Sequence, residues 1–292
     1  MQIESLKAFC DLAECKSFTR TAHLNNVTQS SVSQTIAALE RQFHSLLIER
    51  SQANFRLTAE GEVFYDFSKK IVRSYEALHT KLQEIKGIIS GNIHVATVYS
   101  FGLYDLPPYV KRFLQDCPNV KVHVTYRRPN EVYEDMLGNV ADLGLVSFPE
   151  PHTKLEIVSF RSDTLVLACP PQHPLAQLKV VSLKALNGQK MVRFELNIPT
   201  RKAVDKILKN EGVEGKYVSQ FDNIETVKQA VEIGLGMAIL PENTIRGEVA
   251  TRTIAAVRLE GNYFAPLAVI YKKGKVLSAA MRKFIELLKT PL

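Results

Sequence analysis

Apolar residues recur at helical spacing through the first ninety positions, and polar residues fill the intervals. Ile3, Leu6, Cys10 and Ala13 step by three or four and predict a short first helix. Ser17 is a suitable N-cap for a second helix over residues 18–25, and Thr28 for a third running to about Phe43. Only Asn25, Asn26 and Val27 separate these two, which suits a tight helix–turn–helix. After 56-RLTAEG-61 comes a long amphipathic run with no proline, in which Phe64, Phe67, Ile71, Tyr75, Leu78, Leu82, Ile85 and Ile89 form a sustained stripe. Such a stripe pairs with another helix, as a dimerisation and linker helix, or packs onto the chain's own body.

From Ser90-Gly91 onward the periodicity alternates between 2 and 3.6. NIHVATV, VKVHVTY, ADLGLVS, TLVLACP and GMAILP read as strands. LPPYVKRFLQD, NEVYEDMLG, TRKAVDKILKNEG, NIETVKQAVEIG and VLSAAMRKFIELL read as helices. This alternation predicts an α/β architecture with mostly parallel sheets, in two lobes with a ligand cleft beyond the carboxyl ends of the strands.

The third helix has an unusual division of residues. At about 100° per residue, Val32, Ile36, Leu39 and Phe43 share one side, whereas Ser30, Ser33, Gln34, Ala37 and Arg41 share the other. Ser and Thr are mediocre helix formers, and a merely solvated face more often carries Glu and Lys. Neutral donors and acceptors suit base edges in a major groove, where Gln bonds adenine bidentately. Hydroxyls and free backbone N–H groups in the first turn suit phosphate oxygens. Helix geometry alone leaves an ordinary polar surface as the alternative.

Charge does not decide between them. The chain carries a net +7, but residues 1–90 hold 11 Lys/Arg against 10 Asp/Glu, and the excess falls in residues 91–292. A basic second half suits an anionic small ligand or a solvated lysine-rich surface. No run of eighteen apolar residues is present and the N-terminus lacks a basic flank ahead of an apolar block, so neither a membrane span nor a secretory leader is expected. Four scattered cysteines without CxxC spacing read as reduced thiols of a cytoplasmic protein. The seven histidines have no metal-ligand spacing. No P-loop or GxSxG occurs, and Gly234-Leu235-Gly236 lies between a helix and a strand, the reverse of a dinucleotide loop. No enzyme, cofactor or metal is expected. A solute-binding receptor for import would explain the two-lobed half but leaves residues 1–60 without a purpose.

LKAFCDLAE, SFTRTA, VTQSSVSQTIAALE and LTAEGE, followed by LPPYVKRFLQDCPNVKV, ADLGLV, CPPQHPLA and AVEIGLGMAILPE, together resemble the LysR-type transcriptional regulators over essentially the whole chain. The resemblance implies a winged helix-turn-helix DNA-binding domain at 1–60, with Leu46 to Leu57 as the wing. It implies a linker and dimerisation helix at 61–90 and a two-lobed, periplasmic-binding-protein-like effector domain at 91–292. Lobe I would take about 91–161 and 265–292, and lobe II about 162–264. The implied partners are double-stranded promoter DNA, a small-molecule effector and further copies of the chain, as a dimer assembling to a tetramer.

Carried onto this sequence, the resemblance and the helix geometry assign Gln29, Ser30, Ser33 and Gln34 to the DNA face, with Gln29, Ser33 and Gln34 on bases. Thr28, Ser31, Arg41 and Asn54 go to phosphates. The family often has proline at position 30, arginine at 34 and arginines near Ala53 and Asn54. Glutamine at 34 would favour adenine where arginine favours guanine. A wing without arginine at positions 53 and 54 would make fewer minor-groove and phosphate contacts. Ile48 and Asn25 stand where phenylalanine and leucine are common, which bears on packing. For the effector, the resemblance points to Tyr99, Ser100 and Phe101, to Arg127, Arg128 and Asn130, to Ser147 and Phe148, to Thr200 and Arg201, and to Asn223 beside Asp222. Ser100 at a helix N-terminus with a converging arginine would suit a carboxylate or inorganic anion. Cys117 and Cys169 are expected to be structural.

Overall fold

The structure is a computed structural model and describes residues 2–49, 55–85 and 89–291. The chain begins with three short helices, α1 (Ile3–Cys15), α2 (Phe18–Asn25) and α3 (Gln29–Phe43). The caps are those expected: Ser17 Oγ accepts from Arg20 N at 3.3 Å and Thr28 Oγ1 from Ser31 N at 3.2 Å. Between α2 and α3, Asn26 takes the left-handed conformation at φ 53°, which asparagine tolerates better than most side chains.

Leu6, Phe9, Leu12, Ala22, Val32, Ile36, Leu39, Leu47 and Ile48 bury together as the core of this unit. The inward face of α1 is therefore centred on Phe9 and Leu12, rotated from the stripe through Cys10 and Ala13. Phe9 enters because its ring meets Phe64 edge-on at 5.0 Å. Phe43 lies at the end of the buried stripe of α3 and remains 43% exposed, with its ring against Phe64. Strands β1 (Ile48–Glu49) and β2 (Arg56–Leu57) pair antiparallel as the base of the wing.

Helix α4 (Ala59–Ile85) then runs for 27 residues. A Cβ on Gly61 in its first turn would stand 2.1 Å from the carbonyl oxygen of Leu47, so only glycine lets α4 cross the wing this closely. Val63, Phe67, Ile71, Tyr75, Leu78, Leu82 and Ile85 are all exposed on α4. The two ends of the expected stripe belong elsewhere: Phe64 packs in the N-terminal core and Ile89, past the helix, packs into lobe I.

The remainder follows the order β3 (Gly91–Val98), α5 (Tyr99–Tyr104), α6 (Leu106–Asp116), β4 (Val120–Arg127), α7 (Pro129–Leu137), β5 (Leu143–Ser147), β6 (Leu155–Cys169), β7 (Val180–Val181), β8 (Lys190–Phe194), α8 (Pro199–Asn210), β9 (Lys216–Phe221), α9 (Ile224–Glu232), β10 (Ala238–Pro241), α10 (Arg246–Thr251), β11 (Ala255–Leu259), β12 (Phe264–Lys272) and α11 (Ala279–Lys289). Proline at the first position of α7 and of α8 removes an N–H that the first turn leaves unpaired in any case.

The sheets are mixed rather than mostly parallel. β3 pairs β4 and β5 in parallel, but β12 pairs β5 and β6 antiparallel, and β6 pairs β10 and β11 antiparallel. The reason is the 15-residue β6, which begins nine residues before TLVLACP and passes from one lobe into the other. Strand β12 returns alongside it with a register shift between Leu267 and Ala268. Two long strands crossing in opposite directions force antiparallel neighbours and form the hinge. The lobes keep separate cores. Ile93, Tyr109, Phe113, Leu143 and Phe284 lie in one, whereas Leu167, Met191, Leu208, Val227 and Leu240 lie in the two clusters of the other.

Candidate nucleic-acid interface and effector cleft

α3 presents two chemically distinct faces. Val32, Ile36 and Leu39 are 1–2% exposed, whereas Gln29, Ser30, Ser33, Gln34 and Arg41 are all exposed. Thr28 is exposed at the N-cap, and its hydroxyl lies 2.9 Å from that of Ser30. Ser31 is half-buried and gives its carbonyl oxygen to the Thr35 hydroxyl at 2.9 Å. Arg41 donates through Nε to the Ala37 carbonyl at 3.3 Å, which leaves its terminal nitrogens to reach outward. Asn54 lies outside the described residues.

Two features of this unit were not visible in the hydrophobic pattern. Glu40, on the inner side of α3, is 7% exposed, and its Oε1 accepts from Leu47 N at 3.0 Å and Ile48 N at 3.3 Å. A buried carboxylate thus ties α3 to the first wing strand. Arg56 on β2 is exposed opposite Glu49 in the register, supplying a basic group at the wing. Asn25, where the family has an apolar residue, donates to buried Asp11 at 2.9 Å, so a polar pair replaces an apolar contact. Burial raises the Asp11 pKa above the ordinary value.

The second site lies between the lobes. Val98, Tyr99, Ser100, Arg127, Arg128, Pro129 and Ser147 line it from one side, and Ile198, Pro199, Thr200, Asp222, Asn223 and Ile224 from the other. Its empty volume, mouth included, is about 420 Å³. The N-termini of α7, α8 and α9 all open onto it, and three helix dipoles converging on one space favour an anion there. The lobes meet across the cleft through charged pairs. Arg128 Nη2 is 2.5 Å from Asp222 Oδ2, and Lys202 Nζ is 2.8 Å from Glu150 Oε1. Outside the lining, the Tyr104 hydroxyl at the end of α5 donates to Glu225 and receives from Lys228, both on α9. Burial and the Glu225 carboxylate push that phenol up to about 12.

Of the residues assigned to the effector, Tyr99, Ser100, Arg127, Arg128, Ser147, Thr200 and Asn223 line the cleft. Four others point elsewhere. Phe101 is 1% exposed, on the core side of α5 against Phe160 at 5.5 Å. Arg201 is 4% exposed, because its guanidinium donates to the Phe194 carbonyl at 2.8 Å, pairs with Asp205 and lies over the Tyr217 ring. Phe148 adopts φ 51° at the end of β5 and turns its ring onto the lobe II core. Asn130 is exposed one residue into α7, outside the lining. In each case neighbouring residues of the same loop line the cleft while this side chain does not, because its direction depends on partners remote in sequence.

All four cysteines are free thiols. Burial pushes Cys10 up to about 12 and Cys169 up to about 11, which leaves neither much thiolate at neutral pH. Among the described residues no cluster of three or more metal-ligating side chains occurs, and no helix is long and apolar enough to cross a membrane.

Residues 3–62 match the family described as bacterial regulatory helix-turn-helix protein, lysR family, and residues 86–291 match the LysR substrate binding domain. The chain is 29% identical over 292 residues to the HTH-type transcriptional regulator CysL of Bacillus subtilis, covering 99% of this chain and 97% of that one. Its fold is similar to that of a full-length OxyR variant from Pseudomonas aeruginosa, with TM-score 0.75, 19% identity and coverage of 99% and 93%. It is also similar to that of full-length CbnR complexed with its target DNA, with TM-score 0.60, 23% identity and coverage of 99% of each chain.

Proposed function

This chain belongs to the LysR family of transcriptional regulators, a DNA-binding helix-turn-helix unit joined to an effector-binding domain, and from that premise we propose how it reads DNA and what it senses. Helix α3 enters the major groove of promoter DNA with Gln29, Ser33 and Gln34 toward base edges. Thr28, Ser30, Ser31, Arg41 and the wing, Asn54 included, hold the phosphates. The observation that carries this reading is the solvent-exposed, uncharged polar face of Gln29, Ser30, Ser33 and Gln34 on a helix whose opposite side buries Val32, Ile36 and Leu39. Two such helices reach successive grooves if two copies pair through the exposed apolar stripe of α4, and two dimers then form a tetramer. The protein works in the cytoplasm, where promoter DNA is.

The effector is a small anion, a carboxylate or an inorganic oxyanion, bound between the lobes. Ser100, Arg128 and the N-termini of α7, α8 and α9 supply the donors and field. Arg128 is held by Asp222, so the ligand displaces one carboxylate by its own charge, bridging the lobes where Asp222 did.

Two measurements test these readings separately. In fluorescence anisotropy with the DNA upstream of its own gene, Gln34→Ala is expected to weaken binding about tenfold, the worth of one bidentate base contact, with the dimer intact. Unchanged affinity and footprint would remove α3 from the readout. In a thermal-shift panel split between carboxylates and inorganic anions, a true effector at a hundred times its Kd adds about 2.7 kcal/mol. Ser100→Ala and Arg128→Ala should blunt that shift. A panel in which no anion raises Tm would sink the effector reading alone.

A further inference from the structure

One carboxylate is shared between the effector cleft and the DNA-binding unit. Asp135, 7% exposed near the C-terminal end of α7, has Arg127 Nε 2.9 Å from Oδ2 and Arg20 Nη2 3.2 Å from Oδ1. Arg127 lines the cleft, whereas Arg20 lies in the first turn of α2, more than a hundred residues away in sequence. The helix that carries Asp135 begins in the cleft, with Arg128 as its N-cap and Pro129 in the lining, and spans its nine residues, about 13 Å, to the face where α1 and α2 dock.

That docking face is built rather than incidental. Glu14 at the end of α1 is bonded by Asn139, just past α7, and by Lys272 on β12, and on its own side by Tyr65 and Lys69. The Glu14 side chain is only 7% exposed among these partners. α7 is therefore a strut between the two sites, with Arg127 on one oxygen of the Asp135 carboxylate and Arg20 on the other, so that the charge of one group is divided between them.

We propose that Asp135 is the positioning residue that couples the cleft to the DNA-binding unit: an anion that draws Arg127 toward the cleft leaves the whole Asp135 carboxylate to Arg20. The α1–α2 unit then grips lobe I more tightly and α3 is held at one angle to the effector domain. Reciprocally, DNA that favours the gripped posture favours the anion. The inference rests on the cleft being the effector site, but its central step can be tested with no ligand, because Arg127→Gln imitates withdrawal of the guanidinium.

Hydrogen exchange of full-length protein, followed on peptides covering 14–25 and 134–142, reads the grip directly. Arg127→Gln is expected to slow exchange there about fivefold, equivalent to roughly one strengthened hydrogen bond. Asp135→Asn and Arg20→Gln should each accelerate it, and in either background Arg127→Gln should have no effect. If Arg127→Gln acts equally with and without Asp135, or leaves both peptides unmoved in the otherwise natural chain, the coupling is wrong. Because no anion is added, a cleft that binds none leaves this cycle intact, and a failed cycle leaves the anion titration intact.

Discussion

Glu40 and Leu47 stand 3.0 Å apart through a carboxylate-to-backbone hydrogen bond that joins the helix proposed to read bases to the strand that opens the wing. Both are buried, and the same Oε1 also takes the N–H of Ile48. Removing that acceptor leaves two buried donors unsatisfied. Glu40→Ala should therefore lower stability by about 2 kcal/mol in denaturant titration and loosen promoter binding, although Glu40 touches no DNA in this reading. Glu40→Gln keeps one acceptor oxygen and should lose less.

Position 34 offers a test of specificity rather than affinity. Gln34 is exposed on α3, so Gln34→Arg should leave the fold unchanged and move base preference from adenine toward guanine at one position of each half-site. The expected discrimination is about 1–3 kcal/mol, read by selection from randomised sites. An unchanged motif would show that another side chain reads that position.

The stripe on α4 exposes Leu78 at 56% and Leu82 at 50%. A charge buried in an apolar helix pair has no partner there. Leu82→Glu, and more strongly Leu78→Glu with Leu82→Glu, should shift the protein toward monomer in sedimentation while leaving its circular dichroism unchanged. DNA affinity should fall with the loss of the second half-site. A dimer that survives both changes must be held by another surface.

At the hinge, Asp163 on β6 and Asp105 at the α5–α6 junction are 6% and 7% exposed, with Arg161 and Asn243 between them and Arg246 nearby. Burial, and then the Asp105 charge, push Asp163 from 3.8 up to about 6. The native state thus holds a proton that the unfolded chain releases earlier. Its stabilisation is complete below the unfolded value and is lost as pH rises through about 6. Between pH 5 and 7 the natural chain should lose on the order of 1–2 kcal/mol relative to Asp163→Asn, and parallel pH profiles of the two would refute the assignment.

Local pattern determined a good deal of this molecule. The caps at Ser17 and Thr28, the extent of α3, its division into Val32, Ile36 and Leu39 inside against Ser33 and Gln34 outside, and the order of most α/β elements all follow from interactions within one or two turns. Only tertiary structure decided which side of α1 faces inward, because Phe9 is selected by Phe64 on another helix. It also decided that β6 runs through both lobes and makes the sheets mixed. Arg201 and Phe101 turn away from the cleft for the same reason, since a buried guanidinium or ring points to wherever its remote partners complete its bonds and packing. The sharing of Asp135 between Arg127 and Arg20 is the extreme case. Periodicity fixes which residues lie on a face, but a charge is satisfied by whatever the fold brings beside it, and nothing near position 135 in the chain names position 20.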